Sequence, residues 1–138
     1  MKKSEFDAFI YQKKVAVSDG ATGTNLMKLG LAAGQASEHW VLDNPDAIFN
    51  LHRSFIQSGA DIILTSTFGA SRRRLEQTNL SAHFKEINRK AVEIARRAVE
   101  GTNVLVAASI GPLGHMLKPV GPLEAEEAEE QYRSQAEI

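Results

Sequence analysis

Ile62-Ile63-Leu64-Thr65-Ser66-Thr67-Phe68-Gly69 is the stretch on which the fold turns. Three consecutive apolar residues without polar alternation suit a parallel strand covered on both faces. They pass directly into small hydroxyl residues and a glycine, where a strand-to-helix loop begins. The same arrangement occurs upstream at Val15-Ala16-Val17, followed by Ser18-Asp19-Gly20. It occurs again at Val104-Leu105-Val106-Ala107-Ala108, followed by Ser109-Ile110-Gly111-Pro112. Three strands are predicted, each ending in residues small enough to admit a ligand to the main chain.

Helical patterns fill the intervals. From Asn44-Pro45 to Ser58, Ile48, Leu51, Phe55 and Ile56 recur at helical spacing, with Asn44 as N-cap, Pro45 at the first position and Gly59 beyond the end. From Ser81 to Val99, Phe84, Ile87, Ala91, Ile94, Ala95 and Ala98 form one stripe closed by Gly101. A shorter piece covers Asn25 to Leu29, and the Glu- and Ala-rich tail from Leu123 to Ile138 predicts a last helix. The order β-α-β-α-β-α over residues 1–138 gives an α/β class with right-handed parallel crossovers. Two closures stay open: a doubly wound sheet, or three βα units of a (β/α)8 barrel. A whole barrel takes about 250 residues, so three units cannot close one alone.

Composition narrows the function. The chain has 138 residues, 16 basic and 17 acidic, for a net charge of −1. That balance offers no bulk field for nucleic acid or acidic membranes. It contains no cysteine, which removes disulfides, thiol nucleophiles and cysteine-held zinc. Glu5, Asp7, Gln12 and Lys13 interrupt any apolar run near the start, so neither a signal peptide nor a membrane span is expected. A cytoplasmic location is the expectation.

Ser18-Asp19-Gly20-Ala21-Thr22-Gly23-Thr24 is the densest candidate for chemistry. Its main-chain N–H groups can cradle a carboxylate, and Asp19 at a strand's end can hold an ammonium. The alternative is a tight turn in which Asp19 caps the next helix. No lysine follows in the P-loop position, so a nucleotide site is not indicated. Alternation sends Thr65 and Thr67 to one face and Ser66 to the other. Their hydroxyls bond either neighbouring main chain or a ligand. Ser109 begins a third loop of the same kind. His39, His52, His83 and His115 show no metal-ligand spacing, and His52 reads as a packing residue beside Leu51 and Phe55. Trp40 suits either core or a pocket wall. Arg72-Arg73-Arg74 and the acidic run from Glu124 to Glu130 read as solvated surface. No triad, carboxylate pair or metal set assembles, and on these residues the chain is a small-molecule-binding α/β module of unknown reaction.

Taken together, three segments resemble one family. DGATGTNL, NPDAIFNLHRSFIQSGADIILTSTFGA and AASIGPLGHMLKPVGPLEAEEAEEQY, in this order, are similar to the homocysteine S-methyltransferase domain. The likeness is greatest to the homocysteine-binding module of bacterial cobalamin-dependent methionine synthases, and it runs from about Val15 to the end. The resemblance implies a (β/α)8 barrel with homocysteine at the carboxyl ends of the strands. It implies that Asp19, Gly20 and Ala21 hold the amino-acid end, that Thr67, Thr65 and Ser109 line the pocket, and that Trp40 stands at its mouth. Ser66 occupies a position where the family often has asparagine.

The family binds zinc through three cysteines of later strands, and zinc lowers the thiol pKa of homocysteine. This chain has none of them, so the resemblance implies neither a metal ligand nor a catalytic residue here. Cobalamin and methyltetrahydrofolate would belong to other modules. The expectation is an amino-terminal part of a methyltransferase, inactive alone, that self-associates or pairs with the missing barrel half. Two other readings remain: a non-catalytic binding or assembly module, and an unrelated doubly wound regulatory domain with Asp19 and Thr67 on opposite sides of the sheet.

Overall fold

A computed structural model describes residues 1–138. Seven α-helices and two strands follow one another along the chain: α1 Lys3–Lys13, α2 Thr22–Lys28, α3 Glu38–Asp43, α4 Pro45–Gln57, β1 Ile62–Leu64, α5 Arg72–Glu76, α6 Phe84–Val99, β2 Leu105–Ala107 and α7 Ala125–Ala136. A short 3-10 turn, Ser81–His83, precedes α6. The strands are parallel and in register, Ile62 with Leu105 and Leu64 with Ala107. The result is an α/β chain in which helices outnumber strands.

Sequence explains the long helices. In α4, Pro45 takes the first position, and Ile48, Leu51 and His52 are buried. Its end is a Schellman closure: Gly59, at φ +95°, donates to Ile56 O, and Ala60 donates to Phe55 O. Asn44 occupies the N-cap position but makes no side-chain cap bond. In α6 the expected stripe is buried, and Asn88 lies within it. α4 and α6 pack together around Leu26, Val41, Ile48, Leu75, Phe84 and Ile87, forming the main core. Ile63 of β1 is fully buried with Ala60, Ala95 and Ala98 in a second cluster. Its neighbour Leu64 faces the opposite way and is 38% exposed.

The first expected strand is the principal correction. Val15 to Val17 forms no strand, and Ser18 makes one isolated parallel bridge to Ile62. Val15 is 74% exposed and Val17 53%. The cause is local. Lys14 adopts φ +62°, turning the chain immediately before the run. The Asp61 side chain then accepts from Val17 N at 3.0 Å, a place a ladder carbonyl would hold, while its other oxygen takes Lys13 Nζ at 2.6 Å. Asp61 thereby stays ionised well below the usual carboxylate range, through these bonds from Lys13 and Val17.

Other departures are smaller. Helix α2 begins at Thr22 rather than Asn25. α1 was not predicted: none of its residues is buried, and without a core-facing stripe the sequence carries no periodic signal for it. Helices α3 and α5 have six and five residues, below what periodicity detects. The basic run Arg72–Arg74 is partly engaged: Arg72 lies 4.5 Å over the Phe84 ring, and Arg73 pairs with Glu127 of α7.

Ile63 joins sheet to helices, so Ile63→Ala should lower unfolding free energy by about 2–5 kcal/mol in urea titrations, through lost transfer energy and a residual cavity. A loss below about 1 kcal/mol would show that the site collapses freely.

Candidate functional site

The carboxyl ends of the strands are stitched together by side chains. Asp19 N donates to Ile62 O at 2.9 Å, and Asp19 Oδ2 accepts from Leu64 N at 2.9 Å. Its second oxygen accepts from Ser18 Oγ at 3.2 Å. Asp19 is half-buried, and helix α2 is capped at Ala21 with no side-chain bond, so Asp19 does not cap it. Gly20 and Ala21 are exposed, and their N–H groups donate to no protein acceptor. A Cβ on Gly20 would sit 3.3 Å from the Phe55 ring, so this turn lies directly on α4.

Thr65, Thr67 and Ser109 form a closed ring. Ser109 N donates to Thr65 Oγ1 at 3.0 Å, and Thr67 Oγ1 donates to Ser109 O at 2.8 Å. The two threonine hydroxyls lie 2.6 Å apart. Thr67 has given its proton to Ser109, so Thr65 is the donor between them. Every hydroxyl proton in the ring is used. Both threonines are buried and face α6 and α7, where they line a cavity of about 90 Å3 with Asn88 and Gln135. They hold the tips of β1 and β2 together rather than presenting free donors.

Asp19, Thr65, Thr67 and Ser109 are thus brought to one end of β1, in contact through main chain. Trp40 is half-buried and packs against the main core beside Val41.

Three further polar residues converge on this region. Ser66, between the threonines, is 5% exposed and its hydroxyl has no partner. Glu38 is 3% exposed; its carboxylate accepts from Gly69 N at 2.6 Å and from Ser37 Oγ at 3.3 Å. A side chain at Gly69 would press within 3.0 Å of that carboxylate, which accounts for glycine there. His52 is 1% exposed with both ring nitrogens unpartnered. Burial holds its pKa below 6.5, and the Asp19 carboxylate opposes that shift without reversing it. A single sequence gives no sign of the Glu38–Gly69 bond, whose partners are 31 residues apart.

The open main-chain amides and the Asp19 carboxylate stand at the strand ends, where α/β scaffolds build their ligand loops. Comparison makes the class specific. Residues 16–138 match the homocysteine S-methyltransferase family, and the chain belongs to it. It is 31% identical over 98 residues to the S-methylmethionine–homocysteine S-methyltransferase of Pongo abelii, covering 70% of this chain and 26% of that one. It is 29% identical over 126 residues to methionine synthase of Mycobacterium tuberculosis, covering 83% of this chain and 10% of that one. The crystal structure of the homocysteine methyltransferase MmuM from Escherichia coli, in its metallated form, superposes with a TM-score of 0.80 at 25% identity, over 94% of this chain and 51% of that one. The chain therefore spans about a quarter of the first relative, a tenth of the second and about half of the crystallised one. Family membership overturns the reading as an unrelated regulatory domain.

The residues present do not fit a zinc centre. The chain has no cysteine, and no three His, Asp or Glu side chains come close enough together to hold a metal ion. No helix is long and apolar enough to cross a membrane.

Because native His52 is kept neutral, the unfolded chain binds more protons as pH falls through 6.5. Stability should drop between pH 7.5 and 5.5, and His52→Phe should flatten that drop in urea midpoints measured at both pH values. An identical pH dependence in the variant would contradict the assignment.

Proposed function

We propose that this chain is the amino-acid-binding, amino-terminal portion of a (β/α)8 barrel whose complete form moves a methyl group onto the sulfur of homocysteine to give methionine. One observation carries the reading: a half-buried carboxylate, Asp19, stands beside the unpartnered amides of Gly20 and Ala21. An α-amino acid presents the complementary pair, an ammonium for Asp19 and a carboxylate for the two amides. The likeness to homocysteine methyltransferases supports homocysteine as that amino acid.

The chain's own residues then divide the labour. Asp19 orients the ammonium while its bond to Leu64 keeps it in place. Gly20 and Ala21 receive the carboxylate. The Thr65–Thr67–Ser109 ring fixes the strand ends on which these contacts stand, and Ser66 keeps a buried hydroxyl without a partner. Trp40 acts through the core behind the site. None of these residues contacts the transferred methyl group in this reading, and the chain lacks ligands for zinc. Cobalamin and methyltetrahydrofolate are left to other modules.

The open sheet gives this portion a second property. β2 pairs only with β1, and Val15, Val17 and Leu64 leave apolar surface uncovered. Pairing with the rest of the barrel, or with a second copy, covers it. Sedimentation should show concentration-dependent association, and a monodisperse monomer at high concentration would contradict this.

Homocysteine binding by calorimetry tests the site. Asp19→Asn keeps an acceptor for Leu64 N but removes the charge, so affinity should fall roughly 10- to 100-fold while thermal stability changes little. Equal affinity in both proteins would sink the role of Asp19. Stoichiometric zinc, or methionine production by the isolated chain, would sink the division of labour.

A further inference from the structure

The Thr67–Ala70 loop, which leaves β1 at the candidate site, is gripped by side chains from three helices. Glu38 of α3 accepts from Gly69 N. Asn88 of α6 donates to Ala70 O at 2.9 Å and to Phe84 O at 2.8 Å. Gln135 of α7 donates to Thr67 O at 3.0 Å and to Asn88 Oδ1 at 3.1 Å. All three side chains belong to residues more than nine-tenths buried.

The orientation of the two amides is forced. Asn88 uses both N–H protons on carbonyls, so only its oxygen is left to meet Gln135, and Gln135 must offer nitrogen. Its own oxygen is then left without a partner, beside the cavity behind Thr65 and Thr67. A buried amide is costly unless its bonds are worth more than apolar packing at the same place. Asn88 sits inside the apolar stripe of α6, where packing alone asks for Ala or Leu. Gln135 lies 68 residues from Thr67, yet bonds its carbonyl directly. Thr67 is the meeting point: its hydroxyl serves Ser109, and its carbonyl serves Ala70 N and Gln135.

We propose that Gln135, together with Asn88, is a positioning residue: docking of α7 sets the Thr67–Ala70 loop and is thereby coupled to ligand binding at the strand ends. The coupling to ligand rests on the amino-acid reading above; the grip on the loop does not. Linkage is reciprocal, so what α7 does to the ligand, the ligand does to α7.

Amide hydrogen exchange on the whole chain, with and without homocysteine, tests this. Gln135→Met keeps length and burial but removes the donor. Loop amides at Gly69 and Ala70 should exchange about tenfold faster or more, while amides in the α4 core stay unchanged. In the wild-type chain homocysteine should slow exchange in both the loop and α7, and in the variant it should slow neither. Fraying of α7 with an unchanged loop would overturn the proposal, leaving Gln135 as a helix latch only. Uniformly faster exchange everywhere would overturn it as well. If Gln135→Met fails to fold, Asn88→Leu, which removes both donors from the other side of the clamp and suits the apolar stripe of α6, is read the same way. Absence of homocysteine binding to the wild-type chain would sink the amino-acid reading, and the loop exchange in the variant would still decide the grip.

Discussion

The Leu64 amide donating to the Asp19 carboxylate is the contact on which the rest of this structure depends. A parallel sheet of two short strands leaves most of its edge groups without strand partners, and buried main-chain groups must find others. Here side chains supply them. Asp61 receives the Val17 amide, Asp19 receives the Leu64 amide, and Thr65 with Thr67 closes a ring onto Ser109. The chain between residues 15 and 19 is held against β1 by these two carboxylates together with main-chain bonds, Val17 O accepting from Asp61 N and Ile62 N and Asp19 N donating to Ile62 O. Together they fix Asp19 at the strand end, followed by the unpartnered amides of Gly20 and Ala21.

The same economy of polar groups sets what each residue is free to do. Thr65 and Thr67 have no proton left for a ligand, so their contribution is to geometry. Asp19 keeps residual acceptor capacity, Ser66 keeps a whole hydroxyl, and Gly20 and Ala21 keep their amides. His52, wedged neutral in the core near Asp19, places a titratable group behind the site without giving it access to solvent. The helices then act on the loop from outside, through Glu38, Asn88 and Gln135.

Much of this was legible in the chain. Apolar runs ending in hydroxyl and glycine residues placed β1, β2 and their loops, and the stripes of α4 and α6 gave the core. The Asp19 and Thr67 segments stood out as candidates because small residues at strand ends have a physical use. The Val15–Val17 run misled because apolarity alone does not report the turn at Lys14 or the competing Asp61 carboxylate. Threonine readily bonds neighbouring main chain, but the acceptor Thr67 uses, the Ser109 carbonyl 42 residues away, could not be named from the chain. Glu38 and Gln135 were invisible for the same reason: their roles lie in partners distant along the chain. Asn88 had a sequence signal, a polar residue inside an apolar stripe.

The proposed grip of the strand ends on an α-amino acid runs through Asp19 and the two amides that follow it. Backbone amide chemical shifts of the labelled chain, titrated with homocysteine, address it residue by residue. The largest changes are expected at Gly20 and Ala21, with Leu64, Ser66 and Ser109 following. Changes confined to surfaces away from these residues, or none at saturating ligand, would contradict it.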